Sequence, residues 1–380
     1  MKITVNIISE ALAWDVKGQG VYTASLSLIE ALKRREELEV NINGRGLYDI
    51  AHLHTPGPYA VSKGMISGRR LVISAHVIPA SLIGSLVLVN IWLPFFTQYL
   101  KYYYNLADCV IAVSPKVKEE LENLGIKAPI YFVPNPVNLE RFYPSIEKKK
   151  RIREKLGISM LDFVAVSSGQ IQPRKGIDTF IEVARKLPDV KFVWVGGQPF
   201  SVLTAGFIEL QEKIKNAPSN VIFTGIVPYE EMPDYYNLGD VFFFPSYQEN
   251  LPMAVLEASS CGLPLLLRDI LEYKEPFGGF FIPAKNDSEF LGYLLKLKED
   301  KTFYMEYKER ALQLSKNYSL DNIGNKVLEI YKEVLKNPPR YKRDWITLEK
   351  MREEGKKIWK YLGYPNVKRR RELGKWKELE

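Results

Sequence analysis

The sequence is poor in the residues that build covalently linked or metal-held folds. Its 380 residues include only 2 cysteines and 3 histidines. Both cysteines, Cys109 and Cys261, lie within apolar runs, which is typical of buried thiols. So few cysteines argue against a disulfide framework or a cysteine-based metal site, and they favour a reducing, cytoplasmic compartment.

Long apolar runs are also missing. The longest, residues 80–96, is broken by polar residues and by Pro94, and it falls short of the roughly 20 residues that a membrane-spanning helix needs. The first residues lead directly into an alternating pattern, without the apolar core and cleavage site of a signal peptide. We therefore expect neither a transmembrane segment nor a signal peptide.

An excess of one charge is confined to the end of the chain. The formal net charge is +8, but residues 340–380 alone carry 14 Lys/Arg against 7 Asp/Glu. The preceding residues are therefore close to neutral, and the basic character belongs to the tail. This distribution argues against nucleic-acid binding by the body of the protein.

Short apolar runs alternate with amphipathic helical patterns along the chain. Runs that are apolar throughout predict strands buried on both faces of a parallel sheet. They cover residues 3–8, 71–75, 109–113, 130–133, 163–167, 191–195, 220–224, 241–244 and 263–267. The helical patterns include residues 23–34, 116–124 and 179–186. This alternation predicts an α/β protein with two Rossmann-like, doubly wound domains that face each other across a cleft.

A turn at Pro134–Pro136 and a basic run at 148–153 separate the two sets of strands. We predict a first domain over 1–145 and a second domain over 146–318. A helix at about 319–336 should pack back on the first domain, and residues 337–380 form the C-terminal extension. Because ligands bind at the carboxyl ends of parallel strands, the cleft is the expected site.

Two carboxylates flank a predicted helix start in the second domain. Glu249 follows the strand 241–244, Pro252 is placed at the first turn of the next helix, and Glu257 lies inside that helix. Free N–H groups at such a helix start suit a pyrophosphate. One carboxylate could then accept hydrogen bonds from a sugar, and the other from a ribose. The alternative is a loop residue and a solvated helix face, but the apolar neighbours of Glu257 favour a binding role.

Basic residues, glycines and a histidine follow other strands. Arg174 and Lys175 come after the strand 163–167 and could neutralise a diphosphate leaving group. The Gly-Gln-Gly run at 18–20 follows the first strand and would let the backbone approach a phosphate, although it could be a plain turn. His76 follows the strand 71–75 and should face the cleft, and a structural role is the alternative.

Taken together, these residues resemble retaining glycosyltransferases of family 4, which have the GT-B fold. The resemblance rests on Glu249-x7-Glu257, on Arg174-Lys175-Gly176 and on the early glycine loop, in the expected order over residues 1–336. It implies that the first domain is on the acceptor side and that the second binds the nucleotide sugar. It also implies a catalytic set of His76, Arg174, Lys175 and Glu249. It implies donor contacts from Gly18, Gln19, Gly20, Gly169, Arg174, Lys175, Ile226, Glu249, Asn250, Leu251, Pro252, Met253 and Glu257.

A narrower likeness points to the glycolipid-forming members, the glucosyldiacylglycerol synthases. It rests on residues 16–21, on residues 266–270 and on His54-Thr55. This likeness implies UDP-glucose as the donor, retention of anomeric configuration and a glycerolipid or glycolipid acceptor. One departure stands out, because Asn250-Leu251-Pro252 replaces the usual Gly-Phe-Gly and leaves fewer unhindered N–H groups.

No common metal-binding motif occurs in the sequence, so we expect no required metal and no cofactor besides the nucleotide sugar. Residues 82–104 are rich in apolar and aromatic side chains, and residues 341–380 mix basic and aromatic ones. Such segments suit an anionic lipid surface, which predicts peripheral contact with the inner face of the cell membrane. A core helix and a solvated extension are the alternatives.

Three other functions remain open from the sequence alone. The acceptor could be a soluble glycan or a small molecule. Another GT-B enzyme, such as an epimerase or a phosphorylase with a pyridoxal-bearing lysine, would share the architecture. A basic nucleic-acid-binding or scaffold protein without catalysis is the remaining alternative.

Overall fold

The computed structural model describes residues 2–14, 20–79, 89–197 and 207–341, together with the short pieces 349–350 and 353–354. Gly18, Gln19, residues 82–88 and nearly all of the C-terminal extension lie outside the described residues. The predictions made for them therefore stay predictions.

The described residues form two parallel sheets of six strands each, in the orders β2-β1-β3-β4-β5-β6 and β12-β11-β10-β7-β8-β9. The strands are β1 Ile3–Ile8, β2 Leu38–Ile42, β3 Tyr48–Leu53, β4 Gly68–Ala75, β5 Cys109–Ala112, β6 Ile130–Phe132, β7 Phe163–Ser168, β8 Val190–Val195, β9 Val221–Phe223, β10 Val241–Phe244, β11 Leu265–Arg268 and β12 Ile282–Ala284.

Helices connect these strands and cover both faces of each sheet. They are α1 Glu10–Ala13, α2 Gly20–Lys33, α3 Pro58–Ser67, α4 Val89–Asn105, α5 Pro115–Asn123, α6 Ile146–Lys155, α7 Ile177–Lys186, α8 Phe207–Lys215, α9 Met232–Asn237, α10 Met253–Ser260, α11 Leu271–Phe277, α12 Asp287–Glu299, α13 Lys301–Asn317 and α14 Leu320–Lys336. The prediction of two doubly wound α/β units is confirmed.

Burial explains why the central strands were visible in the sequence. Every residue of β5, β10 and β11 is buried, so no alternation of polar residues interrupts these strands. Apolar side chains on each face of a sheet form separate clusters, two for the first sheet and two for the second. Each sheet therefore has its own core, and the cleft lies between the two.

Three strands did not stand out in the sequence. β2 and β12 are edge strands, where one side is exposed and Pro283 is tolerated. β3 is central and buried, but it carries Asp49 and His52. The Asp49 carboxylate accepts hydrogen bonds from the backbone N–H and hydroxyl of Thr4, at 3.0 and 2.8 Å. Long-range partners therefore satisfy polar groups that looked incompatible with a core strand.

The helix α14, which follows the second sheet in the chain, returns to the first sheet. α14 packs against α2, and its Tyr331 hydroxyl lies 2.7 Å from Nδ1 of His52. Beyond α14, the backbone N–H of Arg340 donates to Asp108 at 2.8 Å, and the Tyr341 hydroxyl donates to the carbonyl of Asn105 at 3.2 Å. The chain therefore enters the C-terminal extension beside the end of α4.

Candidate active site

Two loops of the second sheet build the charged side of the site. β7 and β10 are neighbours in the sheet, so the segment 169–176 after β7 lies beside the segment 245–252 after β10. The backbone N–H of Tyr247 donates to the carbonyl of Arg174 at 2.8 Å, which joins the two loops. Strand order therefore brings Arg174 and Lys175 to Glu249, although more than 70 residues separate them in sequence.

Lys175 and Glu249 form a buried ion pair. The Lys175 ammonium donates to Oε1 of Glu249, the Ser246 hydroxyl donates to the same oxygen at 2.6 Å, and Arg174 lies 4.0 Å from Oε2. Burial opposes ionisation of Glu249, but the charges of Lys175 and Arg174 outweigh it and hold its pKa below the usual value. Burial lowers the pKa of Lys175 to about 8, against the attraction of Glu249. Both groups are therefore charged at neutral pH.

Two glycines are required where these loops turn. Gly176 has φ +76°, and a Cβ there would lie 2.3 Å from the carbonyl oxygen of Pro245. Gly196 has φ +139°, and a Cβ there would lie 2.1 Å from the carbonyl oxygen of Gly169. Only glycine fits such contacts. The Trp194 indole N–H also donates to Gly169 at 3.0 Å, which fixes the loop that opens the site.

Glu257 is the second carboxylate of the site and is held differently. It lies in α10 and is buried. The Tyr236 hydroxyl donates to its Oε2 at 2.7 Å, and the Ser168 hydroxyl lies 2.9 Å from that of Tyr236. Its Oε1 is buried without a hydrogen-bond partner among the described residues. Burial raises the pKa of Glu257 to about 7, although the hydroxyls of Tyr236 and Tyr229 oppose the shift.

The first sheet contributes the opposite side. His76 follows β4, and the Asn250 side chain donates to its carbonyl at 3.3 Å, so this contact spans the cleft. The ammonium of Lys116 in α5 pairs with Glu272 in α11 and joins the two halves at a second place. His76 is itself hydrogen-bonded to His54, with Nε2 3.1 Å from Nδ1 of His54. Burial lowers the pKa of His76 to about 4, so the imidazole is neutral at pH 7.

One cavity of about 530 Å³ lies between the two halves, and its wall includes Arg174, Lys175, Glu249, Glu257 and His76. This volume lies within the range of sites for small organic ligands. The structure places all the sequence-predicted site residues that it describes on the wall of this cavity: Gly20, His76, Gly169, Arg174, Lys175, Ile226, Glu249, Asn250, Leu251, Pro252, Met253 and Glu257. Their roles in donor binding and catalysis remain predictions.

The local backbone differs slightly from the sequence prediction at one point. α10 begins at Met253, so Pro252 precedes the helix as its N-cap rather than lying in its first turn. Pro252 has an extended backbone with ψ 120°, and it lacks the side-chain acceptor that a serine or aspartate cap provides. The early N–H groups of α10 are therefore left without a side-chain cap at the cavity wall.

Several site residues were not found from the sequence. Tyr236, which holds Glu257, lies in the short helix α9, where tyrosine looks like an ordinary core residue. Ser246 positions Glu249, and its only signal was its place just after a predicted strand. His54 was noted only as part of the His54-Thr55 likeness, and its contact with His76 depends on the pairing of β3 with β4. Within the described ranges, no group of three His, Cys, Asp or Glu side chains could hold a metal ion.

Outside the cavity, α4 exposes aromatic side chains. Phe95 is 80% exposed and Tyr102 is 65% exposed, and their spacing of seven residues places them on one side of the helix. Tyr103 and Tyr104, in contrast, are buried in the core of the first sheet. α4 is therefore in part a core helix and in part an exposed aromatic surface. No helix in the described part of the chain is both long and apolar enough to span a membrane.

Family comparisons match both halves of the chain. A family model described as Glycosyltransferase Family 4 matches residues 12–141. A model described as Glycosyl transferases group 1 matches residues 148–314. The short gap between the two matches contains the start of α6 at Ile146.

Curated relatives extend over nearly the whole chain. The alpha-galactosylglucosyldiacylglycerol synthase of Streptococcus pneumoniae is 35% identical over 344 residues, which cover 87% of this chain and 90% of the relative. The processive diacylglycerol alpha-glucosyltransferase of Acholeplasma laidlawii is 28% identical over 307 residues, which cover 79% of this chain and 89% of the relative.

A solved structure supports the fold. The Anabaena protein HepE in complex with UDP-glucose superimposes with a TM-score of 0.70 at 18% identity, covering 87% of this chain and 100% of that chain. At this identity the likeness concerns the fold alone, which is GT-B. The family models match both halves of the chain, and a glycosyltransferase at 35% identity matches most of its length. The chain therefore belongs to the family 4 glycosyltransferases, with a group 1 domain in its second half.

Proposed function

We propose that the protein is a retaining glycosyltransferase that moves glucose from UDP-glucose to a hydroxyl of diacylglycerol or of a glycosyldiacylglycerol at a membrane surface. The observation that carries this proposal is that Lys175, Glu249, Glu257 and His76 line one and the same cavity. The names of the two curated relatives support the class of acceptor.

Residues of the second half of the protein bind the donor. Arg174 and Lys175 supply two positive charges at the cavity wall, beside the uncapped start of α10. Such groups stabilise the charge that develops on a departing diphosphate. The unpartnered Oε1 of Glu257 is a strong acceptor for the ribose hydroxyls, because an unpaired buried oxygen gains most from a new hydrogen bond. Glu249, fixed by Ser246 and Lys175, accepts from the hexose.

Transfer takes place with retention at the anomeric carbon. The acceptor hydroxyl attacks on the face that the diphosphate leaves, so the bond from C1 to the phosphate oxygen breaks as the bond from C1 to the acceptor oxygen forms. The acceptor proton passes to the departing phosphate oxygen, and the products are the glycoside and UDP. Glu249 is paired with Lys175 and is therefore an orienting acceptor for the sugar rather than a nucleophile.

The acceptor approaches from the first half. Exposed Phe95 and Tyr102 on α4 give this half an aromatic surface, and interfacial aromatics favour the boundary between lipid head groups and acyl chains. The chain enters its basic extension beside the end of α4, where Tyr341 contacts Asn105. The lysines and arginines that the sequence carries beyond Tyr341 would be attracted to anionic lipids.

A transfer assay tests the proposal directly. The full chain is incubated with UDP-glucose labelled in the sugar, with vesicles that contain dioleoylglycerol or its glucoside, and with a soluble oligosaccharide. The lipid phase and the aqueous phase are then both analysed for label. We expect a labelled glycolipid whose anomeric proton has the α coupling, and equimolar release of UDP. Label found only in a soluble oligosaccharide acceptor, or a β-linked product, would overturn the proposed acceptor or the proposed stereochemistry.

A further inference from the structure

The three histidines of the chain form one cluster in the first half of the protein, beside the cavity. His52 and His54 lie at the end of β3, and His76 follows the neighbouring strand β4. The ring centroids of His52 and His54 are 4.6 Å apart, and those of His54 and His76 are 5.2 Å apart. Of the three, His76 alone is on the cavity wall among the described residues.

His52 has a complete set of partners. Its Nδ1 lies 2.7 Å from the Tyr331 hydroxyl, and its Nε2 lies 2.8 Å from the Ser74 hydroxyl. A hydroxyl can donate or accept, so both tautomers of His52 are satisfied. His52 therefore acts as a structural residue between β3, β4 and α14.

His54 has only one satisfied nitrogen. Its Nδ1 lies 3.1 Å from Nε2 of His76, whereas its Nε2 is buried without a partner in the described part of the chain. A buried N–H without an acceptor is rarer and more costly than a buried lone pair without a donor. The proton of neutral His54 therefore belongs on Nδ1, and it points at His76.

Both rings of this pair are neutral near pH 7. Burial holds the pKa of His54 well below its usual value, and repulsion from His52 and His76, if they were protonated, would lower it further. Burial alone lowers the pKa of His76 to about 4. In a neutral pair one nitrogen of the contact donates and the other accepts, so the Nδ1–H of His54 leaves Nε2 of His76 as the acceptor.

We propose that His54 is a positioning residue that fixes His76 in its Nδ1–H tautomer, so that His76 presents a hydrogen-bond donor to a bound sugar and does not accept a proton. The contact of the His76 ring with His54 uses Nε2, which leaves Nδ1 for a ligand, and His76 is a lining residue of the cavity. The partner of this N–H is a hydroxyl or ring oxygen of the donor sugar. That last step rests on the proposed function, whereas the tautomer itself does not.

The tautomer is measurable on the protein without any ligand. A long-range proton–nitrogen correlation spectrum of histidine-labelled full chain resolves ring nitrogens that carry a proton from those that do not, and only three histidines contribute. At pH 7.5 we expect Nδ1 of both His54 and His76 to be protonated and both Nε2 atoms to be bare. A His76 signal with protonated Nε2 contradicts the proposal, whatever the enzyme transfers.

Kinetics test the consequence for catalysis. His54→Phe removes the donor to His76, and we expect kcat to fall by about tenfold, as for one lost hydrogen bond to a reacting ligand. The KM for the nucleotide sugar should change less than twofold, because the diphosphate contacts lie on the other wall. His54→Asn, which can place an amide N–H where Nδ1 lies, should recover most of the rate.

A double-mutant cycle separates positioning from folding. In a His76→Ala background, His54→Phe should have no further effect on kcat, since there is no longer a ring to orient. An equal loss of rate in both backgrounds, or a His54→Phe protein that matches the wild type, contradicts the positioning role. If the tautomer is as expected but neither variant changes the rate, the placement of the sugar beside His76 is wrong and the histidine pair is structural.

Discussion

The two walls of the cavity differ in charge although the two sheets that carry them share one architecture. Among the described residues, the second half contributes Arg174, Lys175, Glu249 and Glu257 to the wall, whereas no ionised side chain lines it from the first half, where His76 is neutral. Both sheets are parallel and six-stranded. The difference therefore lies in the segments that follow the strands, and it suits a charged leaving group on one side and an uncharged acceptor on the other.

The largest effect should come from removing a charge on the second wall. Arg174→Ala is expected to lower kcat by about 10²- to 10³-fold, because the developing charge on the diphosphate loses a fixed donor. Initial rates of UDP release with a saturating lipid acceptor measure the loss. Lys186→Ala, at an exposed position of the nearby helix α7, is the matched control and should leave the rate unchanged. A wild-type kcat for Arg174→Ala would show that the charges of the second half do not stabilise the leaving diphosphate.

The two halves should also respond in opposite directions to pH. The pKa of Glu257 is raised from 4.5 to about 7 in the folded protein. Between these values the folded state holds a proton that the unfolded chain has released, so stability is lost as pH rises. The buried histidines have lowered pKa values, so their contribution is lost as pH falls from 6.5 towards 4.

Glu257→Gln isolates the carboxylate, since the histidines are common to both proteins. From pH 5 to pH 8, the free energy of unfolding of the wild type should fall relative to that of Glu257→Gln by about 2 to 3 kcal/mol. Urea unfolding at the two pH values, followed through the tryptophan signal, gives this difference. A difference that is independent of pH would show that Glu257 is ionised in the folded protein throughout.

The exposed aromatic surface of the first half should affect membrane binding only. Phe95→Glu is expected to weaken partition onto anionic vesicles by about tenfold, the loss for one buried aromatic side chain. Vesicle flotation measures this partition. Leu161→Glu is the matched control in the second half, because Leu161 is 96% exposed on a loop after α6. Equal effects of the two substitutions would mean that the membrane does not distinguish the halves.

The smallest effect concerns the connection between the halves. Tyr331 lies in α14, which follows the second half but packs on the first, and its hydroxyl bonds to His52. Tyr331→Phe should reduce the free energy of unfolding by about 1 kcal/mol, the usual value of one hydrogen bond. Tyr102→Phe, at an exposed site, should cause no change. Chemical denaturation of both variants checks this, and a stable Tyr331→Phe would show that the contact contributes nothing.

The sequence was informative wherever chemistry and burial are local. β5, β10 and β11 are apolar throughout because both of their faces are covered, and the segments after β7 and β10 carry their charged residues within a few positions. A reader of the sequence could therefore place Arg174, Lys175, Glu249 and Glu257 at the carboxyl edge of one sheet. Their meeting follows from strand order, which the general rule for parallel sheets anticipates.

What could not be predicted depends on distant partners. β3 was missed because Asp49 and His52 look polar in sequence, and their partners Thr4 and Tyr331 are 45 and 279 residues away. The support of Glu257 by Tyr236 and of His76 by His54 likewise requires the register between elements. Periodicity alone contains no information on such pairs.

Calorimetric titration of the wild-type protein with UDP-glucose tests the central claim most directly, because it asks whether the cavity holds a nucleotide sugar. The account requires saturable binding of one UDP-glucose per chain, weakened at least tenfold in Arg174→Ala and in Glu257→Gln and unchanged in Leu161→Glu. No heat of binding with UDP-, GDP- or ADP-glucose, or equal affinity in all of these variants, would contradict it.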